Sequence, residues 1–454
     1  MNRFFLIYIF TDFWITKSIA ACLISTLCVA DSQAAGFAVL EQTVQGLGVA
    51  YAGTTAGGED ISTIFYNPAG LSEYTGTEII SGGHLVLSNA QFNVTGSSDI
   101  LNQPLGEKES VKVNEQTLIP NLYFATDLME SFRLGLGITV PFGLGTRFPT
   151  KWQGRYEAID SELQSLDINP VISYQVNDKF SLGFGVSAQY VKVELSRAID
   201  FGMLCFAQFG AAACSGLALL PQGSDGKVEL TGNGWNWGYN FGLLFKPLDN
   251  VRIGLAYRSE IHHSVSGKAE FQVPGNAKIF TAAGAFRNTS ITAESRVPAN
   301  LSLGAVYRAG PQLALLFDLN WTEWKQVDKL SVQFENPSQP ATTLTFDFKN
   351  AIRTSLGWIY DINQAWSVRS GFTFDESPVK DSRTRTFQVP DSDRYWLAAG
   401  LNCHPYSNTS FNFSYAHVFL NDAPIAREDV YGHRIQGRFE SQIDLFSAEL
   451  RISF

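Results

Sequence analysis

Cysteine is scarce in this sequence, with only 5 among 454 residues. Cys205 and Cys214 are close together in one apolar stretch and could form a local disulfide in an oxidising compartment, whereas Cys403 has no obvious partner. No pair has the CxxC spacing of a structural zinc site. Free structural thiols are therefore the alternative to a disulfide, and we predict no metal site.

Long apolar runs are also missing after the first 34 residues. A helix needs about 18 or more consecutive apolar residues to cross a membrane, and none follows Ala34. A membrane protein made from this chain would therefore have to be a closed β-barrel. The formal net charge is −10 and there is no basic stripe, which argues against binding to nucleic acid.

Catalytic motifs are missing as well. The 6 histidines form no HExxH pattern, and neither a GxSxG motif nor a phosphate-binding loop is present. A lipid hydrolase built on a barrel would need a serine and a histidine on adjacent strands, so His84 with a serine stays open as an alternative. We predict that the chain is not an enzyme and binds no cofactor.

The first 34 residues have the composition of a secretory signal. An apolar run extends from Ser18 to Ala30, Lys17 precedes it, and the sequence Ser32-Gln33-Ala34 places small residues where a signal peptidase requires them. We therefore predict a signal peptide over residues 1–34.

From about residue 77 to the C-terminus, apolar and polar residues alternate with the two-residue period of a β-strand. The segments 180–190 and 446–454 are clear examples. A soluble sandwich also alternates, but here short turns alternate with connections several times longer, as in outer-membrane barrels. We count fourteen candidate strands and predict an all-β fold, a 14-stranded antiparallel transmembrane β-barrel over residues 77–454.

Residues 35–76 lack this period, are rich in glycine and small residues, and end in the turn sequence Asn67-Pro68-Ala69. A barrel of fourteen strands encloses a space that side chains alone do not fill. We predict that this segment is a hatch inside the lumen. The Asn-Pro-Ala sequence has an ordinary turn as its simpler interpretation, but the apolar residues around it favour packing against the inner wall, where it could shift with ligand.

Several motifs together resemble those of the FadL-type family of outer-membrane transporters for long-chain fatty acids and other hydrophobic compounds. The resemblance covers nearly the whole chain after residue 34 and rests on these segments: 35–37 (AGF), 46–53 (GLGVAYAG), 67–69 (NPA), 119–121 (IPN), 374–379 (FDESPV) and 389–396 (VPDSDRYW). It implies a monomeric plugged barrel in the outer membrane, surrounded by lipid and lipopolysaccharide. Long-chain fatty acids are the implied ligands, and aromatic hydrocarbons such as toluene or xylene are the alternative.

The resemblance also implies a route. Ligand would be caught by external loops, move to an internal pocket near the hatch, and leave sideways at a kink in the third strand. Pro141-Phe142-Gly143 lies inside that strand, where proline lacks the N–H for the ladder and glycine weakens pairing. A bulge near the rim is the simpler interpretation, and a lateral opening is the one that the resemblance favours. The apolar loops 201–220 and 271–286 are the candidates for capture, and a loop stapled on itself is the alternative.

Four residues resemble the family's ligand-pocket positions. Arg197 and Lys349 resemble two basic residues that meet the ligand carboxylate, and their phase in the strands predicts that both face inward; pairing with a neighbouring acid is the alternative for each. Val140 stands where the family can offer a hydroxyl, which predicts a less polar head-group site. Phe37 resembles a residue that occupies the pocket in place of ligand, whereas disorder is the alternative for any terminus. Val49 replaces the arginine usual in the hatch.

Overall fold

The structure is a computed structural model that describes residues 36–106 and 110–454. The predicted signal peptide, residues 1–34, lies outside this range. None of the helices in the described ranges is both long and apolar enough to cross a membrane.

Fourteen antiparallel strands form a closed barrel in the described part of the chain. They are β1 Glu78–Ser98, β2 Val111–Met129, β3 Phe132–Thr139 with Gly143–Arg147, β4 Asp160–Gln175, β5 Phe180–Asp200, β6 Asp225–Leu248, β7 Val251–Arg258 with Ile261–Gln272, β8 Thr289–Val297 with Asn300–Arg308, β9 Leu313–Thr322 with Lys329–Phe334, β10 Thr342–Thr345 with Ala351–Asp361, β11 Trp366–Asp375, β12 Arg394–Tyr406, β13 Thr409–Leu420 with Ala423–Glu428, and β14 Arg434–Ser453. Each strand pairs with the next, and β14 pairs with β1 from Glu78↔Ser453 to Ser98↔Arg434. The prediction of fourteen strands is confirmed.

The alternation in the sequence becomes the two faces of this wall. On β5 the small polar residues Ser181 and Ser187 are buried toward the lumen, while Phe180, Leu182 and Phe184 are exposed on the outside. Surrounding hydrocarbon requires an apolar outer face. It also requires that every backbone polar group is hydrogen-bonded within the protein, which the closed ladder provides.

The N-terminal segment, residues 36–76, fills the lumen, and we call it the hatch. It contains two short helices, Val44–Gly48 and Thr63–Tyr66, and two 3-10 turns, Thr54–Ala56 and Pro68–Glu73. The backbone of the hatch runs against glycines of the wall. A Cβ atom added to Gly183 would lie 2.2 Å from the Ala69 nitrogen, and one added to Gly371 would lie 2.0 Å from the Val49 oxygen.

Ion pairs join the hatch to the wall at the periplasmic end. Glu73 pairs with Lys246 at 2.9 Å, and Glu59 pairs with Arg252 at 3.2 Å and with Arg308 at 3.3 Å. These cations lie on β6, β7 and β8, so the acidic side chains of the hatch are held by three consecutive strands. We call this group the periplasmic ion pairs.

Helices Phe201–Phe209 and Ala211–Gly216 lie in the extracellular connection between β5 and β6, and helix Lys278–Ala282 lies in the one between β7 and β8. A disulfide joins Cys205 to Cys214. The first connection is therefore stapled on itself, and it also presents apolar side chains: Phe209 is 52% exposed. The disulfide agrees with the interpretation of this loop as stapled on itself, and its role in ligand capture stays a prediction.

Candidate functional site

The third strand is interrupted at Val140-Pro141-Phe142. Its pairing with β4 passes from Thr139↔Asp167 directly to Gly143↔Gln164, so three residues of β3 face two of β4. Its pairing with β2 ends at Leu122↔Ile138. Proline supplies no N–H to a ladder, and above this point the two strands separate in the described structure.

The beginning of the hatch occupies the place that β2 leaves. Ala38 forms an antiparallel bridge with Phe142. The Val39 N–H donates to the Pro141 carbonyl at 2.8 Å, and the Gly143 N–H donates to the Phe37 carbonyl at 3.0 Å. The hatch therefore completes the backbone hydrogen bonding at the break, as an added strand would.

The Gln42 side chain of the hatch also binds the backbone of β3 at the break. Its Nε2 donates to the Val140 carbonyl at 2.7 Å, and its Oε1 accepts from the Val140 N–H at 3.2 Å. The Val140 side chain is buried with Val39 and Ile119 and does not border the cavity described next. Val140 was expected at the site of the ligand head group, but its side chain does not contact that cavity.

A cavity of about 90 Å³ lies between the break and the opposite wall. Residues of the hatch, of β3 and of β6 to β11 line it, and they include Ala38, Leu40, Phe65, Pro141, Phe142, Arg258, Pro298, Trp324, Ala351, Ile352 and Arg353. We call it the lower cavity. Just over half of the lining residues are apolar; the others include two arginines, Asp375, and asparagine, serine and threonine side chains. Apolar surface beside two cations is suited to an apolar molecule with an anionic end.

Phe37 packs against two aromatic residues that line the lower cavity. Its ring is 5.0 Å from that of Trp324, edge to face, and 5.9 Å from that of Phe142. The same apolar cluster continues upward through Leu163, Leu195 and Leu230. These leucines lead to a second space of about 90 Å³, the upper cavity, which Leu195, Arg197, Val228, Leu330, Val332 and Leu344 help to line.

Asp391 fixes the start of the hatch. Its carboxylate accepts hydrogen bonds from the Gly36 N–H at 3.0 Å and from the Ser377 hydroxyl at 2.8 Å, and it forms an ion pair with the buried Arg394. Ser377 belongs to the FDESPV segment, and the other two belong to VPDSDRYW. The two motifs noted in the sequence therefore meet in space, where they hold Gly36 near the start of the hatch.

The structure separates the two predicted basic residues. Arg197 is exposed and borders the upper cavity. The Lys349 ammonium lies 2.7 Å from the Glu376 carboxylate, and Lys349 does not border the lower cavity. The phase of β10 did not extend to Lys349 because residues 346–350 leave the ladder, and Asp347 has a φ of 49°.

Two other arginines border the lower cavity instead. Arg258 pairs with Asp167 at 3.4 Å, donates to the Phe65 carbonyl at 2.9 Å, and lies 4.5 Å above the Phe65 ring. Arg353 forms no ion pair with any described residue; its guanidinium lies 6.0 Å from the Tyr51 ring centre. The phase argument that selected Lys349 also applies to Arg353, so the signal for Arg353 was present in the sequence.

Asn67-Pro68-Ala69 lies against the inner wall. The Asn67 amide donates to the carbonyl of Leu243 on β6 at 3.1 Å and to that of Thr55 at 2.6 Å, and its Oδ1 accepts from the Ala69 N–H at 3.1 Å. One side chain thus caps the 3-10 turn, joins two parts of the hatch and attaches them to the barrel.

His84 does lie beside a serine on the adjacent strand. Its Nδ1 is 2.7 Å from the Ser447 hydroxyl, and its Nε2 is 2.9 Å from the Asn121 amide nitrogen. His84 is completely buried, and the other two are almost so. Because the group is enclosed between wall and hatch, it offers no surface to a lipid substrate, and its hydrogen bonds join β1, β2 and β14.

A closed barrel with an apolar outer face, a lumen filled by its own N-terminal segment, and an apolar cavity beside a break in the wall define an outer-membrane transporter for hydrophobic compounds. The chain belongs to the outer membrane protein transport family that includes OMPP1, FadL and TodX, whose sequence pattern matches residues 25–454. Because members of this family are transporters or channels, the prediction that the chain is not an enzyme is confirmed.

The relatives in this family differ in what they carry. The chain is 30% identical to the long-chain fatty acid transport protein of Salmonella typhi, over 90% of this chain and 94% of that one. Its fold is similar to that of a Pseudomonas aeruginosa FadL homologue, with a TM-score of 0.84, 22% identity and coverage of 92% and 100%. It is also similar to that of the toluene transporter TodX of P. putida, with a TM-score of 0.64, 17% identity and coverage of 87% and 94%.

Proposed function

We propose that this transporter takes up long-chain fatty acids. Arg353 carries the proposal: it is a cation that borders the lower cavity and forms no ion pair with any described residue. The carboxylate in the same lining, Asp375 opposite Arg353 on β11, lies 3.8 Å from the Arg394 guanidinium. A carboxylate is the natural partner of a guanidinium, and the attraction between them is stronger in a poorly hydrated lumen than in water. The relative from S. typhi named above is a long-chain fatty acid transport protein.

In this proposal the acyl chain follows the apolar cluster from the upper to the lower cavity. Arg197 meets the carboxylate first, at the upper cavity, and Arg353 with Arg258 meets it at the lower one. Ligand takes the place of the Phe37 ring, and this movement draws residues 37–39 away from Pro141, Phe142 and Gly143. The acyl chain then leaves through the opened side of β3, while Asn67-Pro68-Ala69 shifts against β6. Residues 35–76 act as the hatch and residues 1–34 as the signal peptide.

Uptake by cells that lack their own fatty acid transporter tests the proposal. We expect Arg353→Gln to lower the initial rate of labelled oleate uptake by about tenfold, because one charge-assisted hydrogen bond to a charged group contributes about 1.5–3 kcal/mol. Arg353→Lys is the matched control, since it keeps the charge. Toluene has no carboxylate, and its entry should not depend on residue 353.

Aromatic hydrocarbons are the second candidate, because the rings of Phe142 and Trp324 line the lower cavity and the Phe37 ring packs against both. Toluene entry that exceeds the cell background, combined with oleate uptake equal to that background, would replace the fatty acid proposal with this one. Oleate uptake that is the same in Arg353→Gln and in the unmodified protein would remove the role of Arg353.

A further inference from the structure

The backbone pairing of the barrel wall is interrupted a second time, on the side away from β3. In β7 and β8 the pairing runs from Val297↔Ile261 to Asn300↔Arg258, and the residues between these pairs, Ser259 with Glu260 and Pro298 with Ala299, form no ladder pair. Pro298 again stands where an N–H would be needed.

The interruption continues into β9 and β10. Between β8 and β9 the last ladder pair is Asn300↔Thr322, and the Glu323 N–H still donates to the Ala299 carbonyl at 2.9 Å. Pairing resumes at Glu294↔Ser331, so four residues (295–298) face seven (324–330). The excess forms the 3-10 turn Trp324–Gln326. Between β9 and β10 the ladder stops at Thr322↔Ala351 and resumes at Lys329↔Thr345.

Both interruptions border the lower cavity. Its lining includes Pro141 and Phe142 at the first, and Pro298, Trp324 and Ala351 at the second. The cavity thus meets the wall at two places, and at both places the ladder that would close the wall is incomplete.

The second interruption lies at the outer edge of the apolar surface. On its periplasmic side the outward side chains are apolar, with Leu301, Leu319 and Ile352 exposed. On its extracellular side they are polar, as in His262 and Lys325. Ile352 is 45% exposed on the outside and also borders the cavity. This position corresponds to the boundary between the acyl chains and the head groups of the outer leaflet.

Trp324 closes the second interruption from inside, and the start of the hatch holds it there. Trp324 is 1% exposed; its ring lies 5.0 Å from Phe37 and 5.8 Å from Phe348. A Cβ atom on Gly36 would lie 2.7 Å from the Trp324 ring. Phe37, which also contacts Phe142, therefore touches the closing residues at both interruptions.

We propose that the barrel has a second lateral opening, closed by Trp324, through which apolar molecules pass between the lower cavity and the outer leaflet. When ligand displaces Phe37, both openings lose the same support. This inference rests on the proposed function, because it uses the same cavity and the same class of ligand. A bulge that only makes room for Trp324 is the opposing explanation.

Photolabelling of the unmodified protein in outer-membrane vesicles tests whether cavity ligands reach this opening. The probe is a palmitate analogue with a photoreactive diazirine, and labelling is compared at Ile352 and at Leu356, which also faces lipid from β10 but does not border the cavity. We expect excess oleate to reduce labelling at Ile352 and to leave Leu356 unchanged. Equal insensitivity of both positions would mean that Ile352 meets only membrane lipid, and would overturn the proposal.

Uptake measurements test whether the opening conducts. In Pro141→Val/Gly143→Val, which closes the first break, we expect oleate uptake to remain above the background of cells without the transporter. Adding Trp324→Ala should raise it severalfold. Adding Trp396→Ala, which removes an equally buried tryptophan packed against the hatch at Tyr51, should not.

Restoration by neither tryptophan variant, or equal restoration by both, would overturn the second opening. Heat-modified migration of each barrel on gels identifies variants that failed to assemble. If a variant fails to assemble, photolabelling of the unmodified protein decides whether the second opening exists. Failure of the proposed function is a different result, because the unmodified protein would then take up no oleate above background.

Discussion

Gly183 lies where β5 passes closest to the hatch. The 2.2 Å separation between a Cβ atom built there and the Ala69 nitrogen is shorter than any real contact. The neighbouring atoms belong to the backbones of Pro68 and Ala69, and they cannot rotate away as a side chain could. A single missing methyl group therefore sets how closely the Asn-Pro-Ala turn approaches the wall.

We expect Gly183→Ala to destabilise the protein by about 1–3 kcal/mol, the usual cost of overpacking a filled interior. The free energy of unfolding in denaturant measures this, with Gly96→Ala on β1 as the control, since a Cβ atom there meets nothing within 4 Å. Equal stability of the two variants would show that the hatch is not held at this contact.

At the scale of elements, the break in β3 is the point where the hatch joins the wall and where we propose that ligand leaves the barrel. Pro141 and Gly143 could be recognised as a weak point from the sequence alone, because both residues have a known cost in a ladder. The sequence could not show that residues 37–39 complete the missing hydrogen bonds. That arrangement depends on contacts between segments about 100 residues apart, which no local pattern carries.

We expect Pro141→Val/Gly143→Val to lower oleate uptake severalfold and to leave oleate binding intact, because valine restores an N–H and favours a paired strand. Initial uptake rates and equilibrium binding to purified protein measure the two effects. Pro170→Val is the matched control, since Pro170 faces outward from the stretch of β4 that is paired with β3. Unchanged uptake in the double variant would rule out β3 as a major route.

The extracellular connections are joined by His433. Its ring lies 2.8 Å from the Asp429 carboxylate and 3.3 Å from that of Asp200, the residue that caps helix Phe201–Phe209, and it stacks on Tyr156 at 4.0 Å. Burial alone would lower the pKa of His433, but the hydrogen bonds that its ring donates to the two aspartates, together with their charges, outweigh burial and raise the pKa to about 9.

Because this pKa is raised, the stabilisation is fully present below the usual histidine pKa and is lost as pH rises through about 9. We expect proteolysis of the loop 201–220 to become severalfold faster between pH 7 and pH 10, relative to a reference peptide. In His433→Gln the rate should already be high at pH 7 and change little with pH. The same pH dependence in both proteins would place the titration elsewhere.

The extent of the barrel was predictable because its strands repeat one simple pattern over nearly 380 residues. The positions of the cations were not. Lys349 left the predicted phase where β10 breaks, and Arg258 gains its contact with Phe65 only when the hatch lies in the lumen. Breaks in strands are set by long-range packing, and they are also where the cavity touches the wall.

At the scale of the whole molecule, the apolar cluster forms one continuous lining between the two cavities. A longer acyl chain buries more methylene groups along it, each contributing at most about 0.8 kcal/mol. We therefore expect affinity to rise by up to about fourfold per added methylene until the lining is filled. Equilibrium binding of saturated fatty acids of increasing length measures this, and an affinity independent of chain length would contradict a lining that acts as one surface.

The periplasmic ion pairs have a consequence for the bacterium. If cargo leaves through the side of the barrel, as we propose, the part of the hatch held by the ion pairs of Glu59 and Glu73 does not have to move. A cell could then take in fatty acids without opening an aqueous channel that water-soluble compounds could follow.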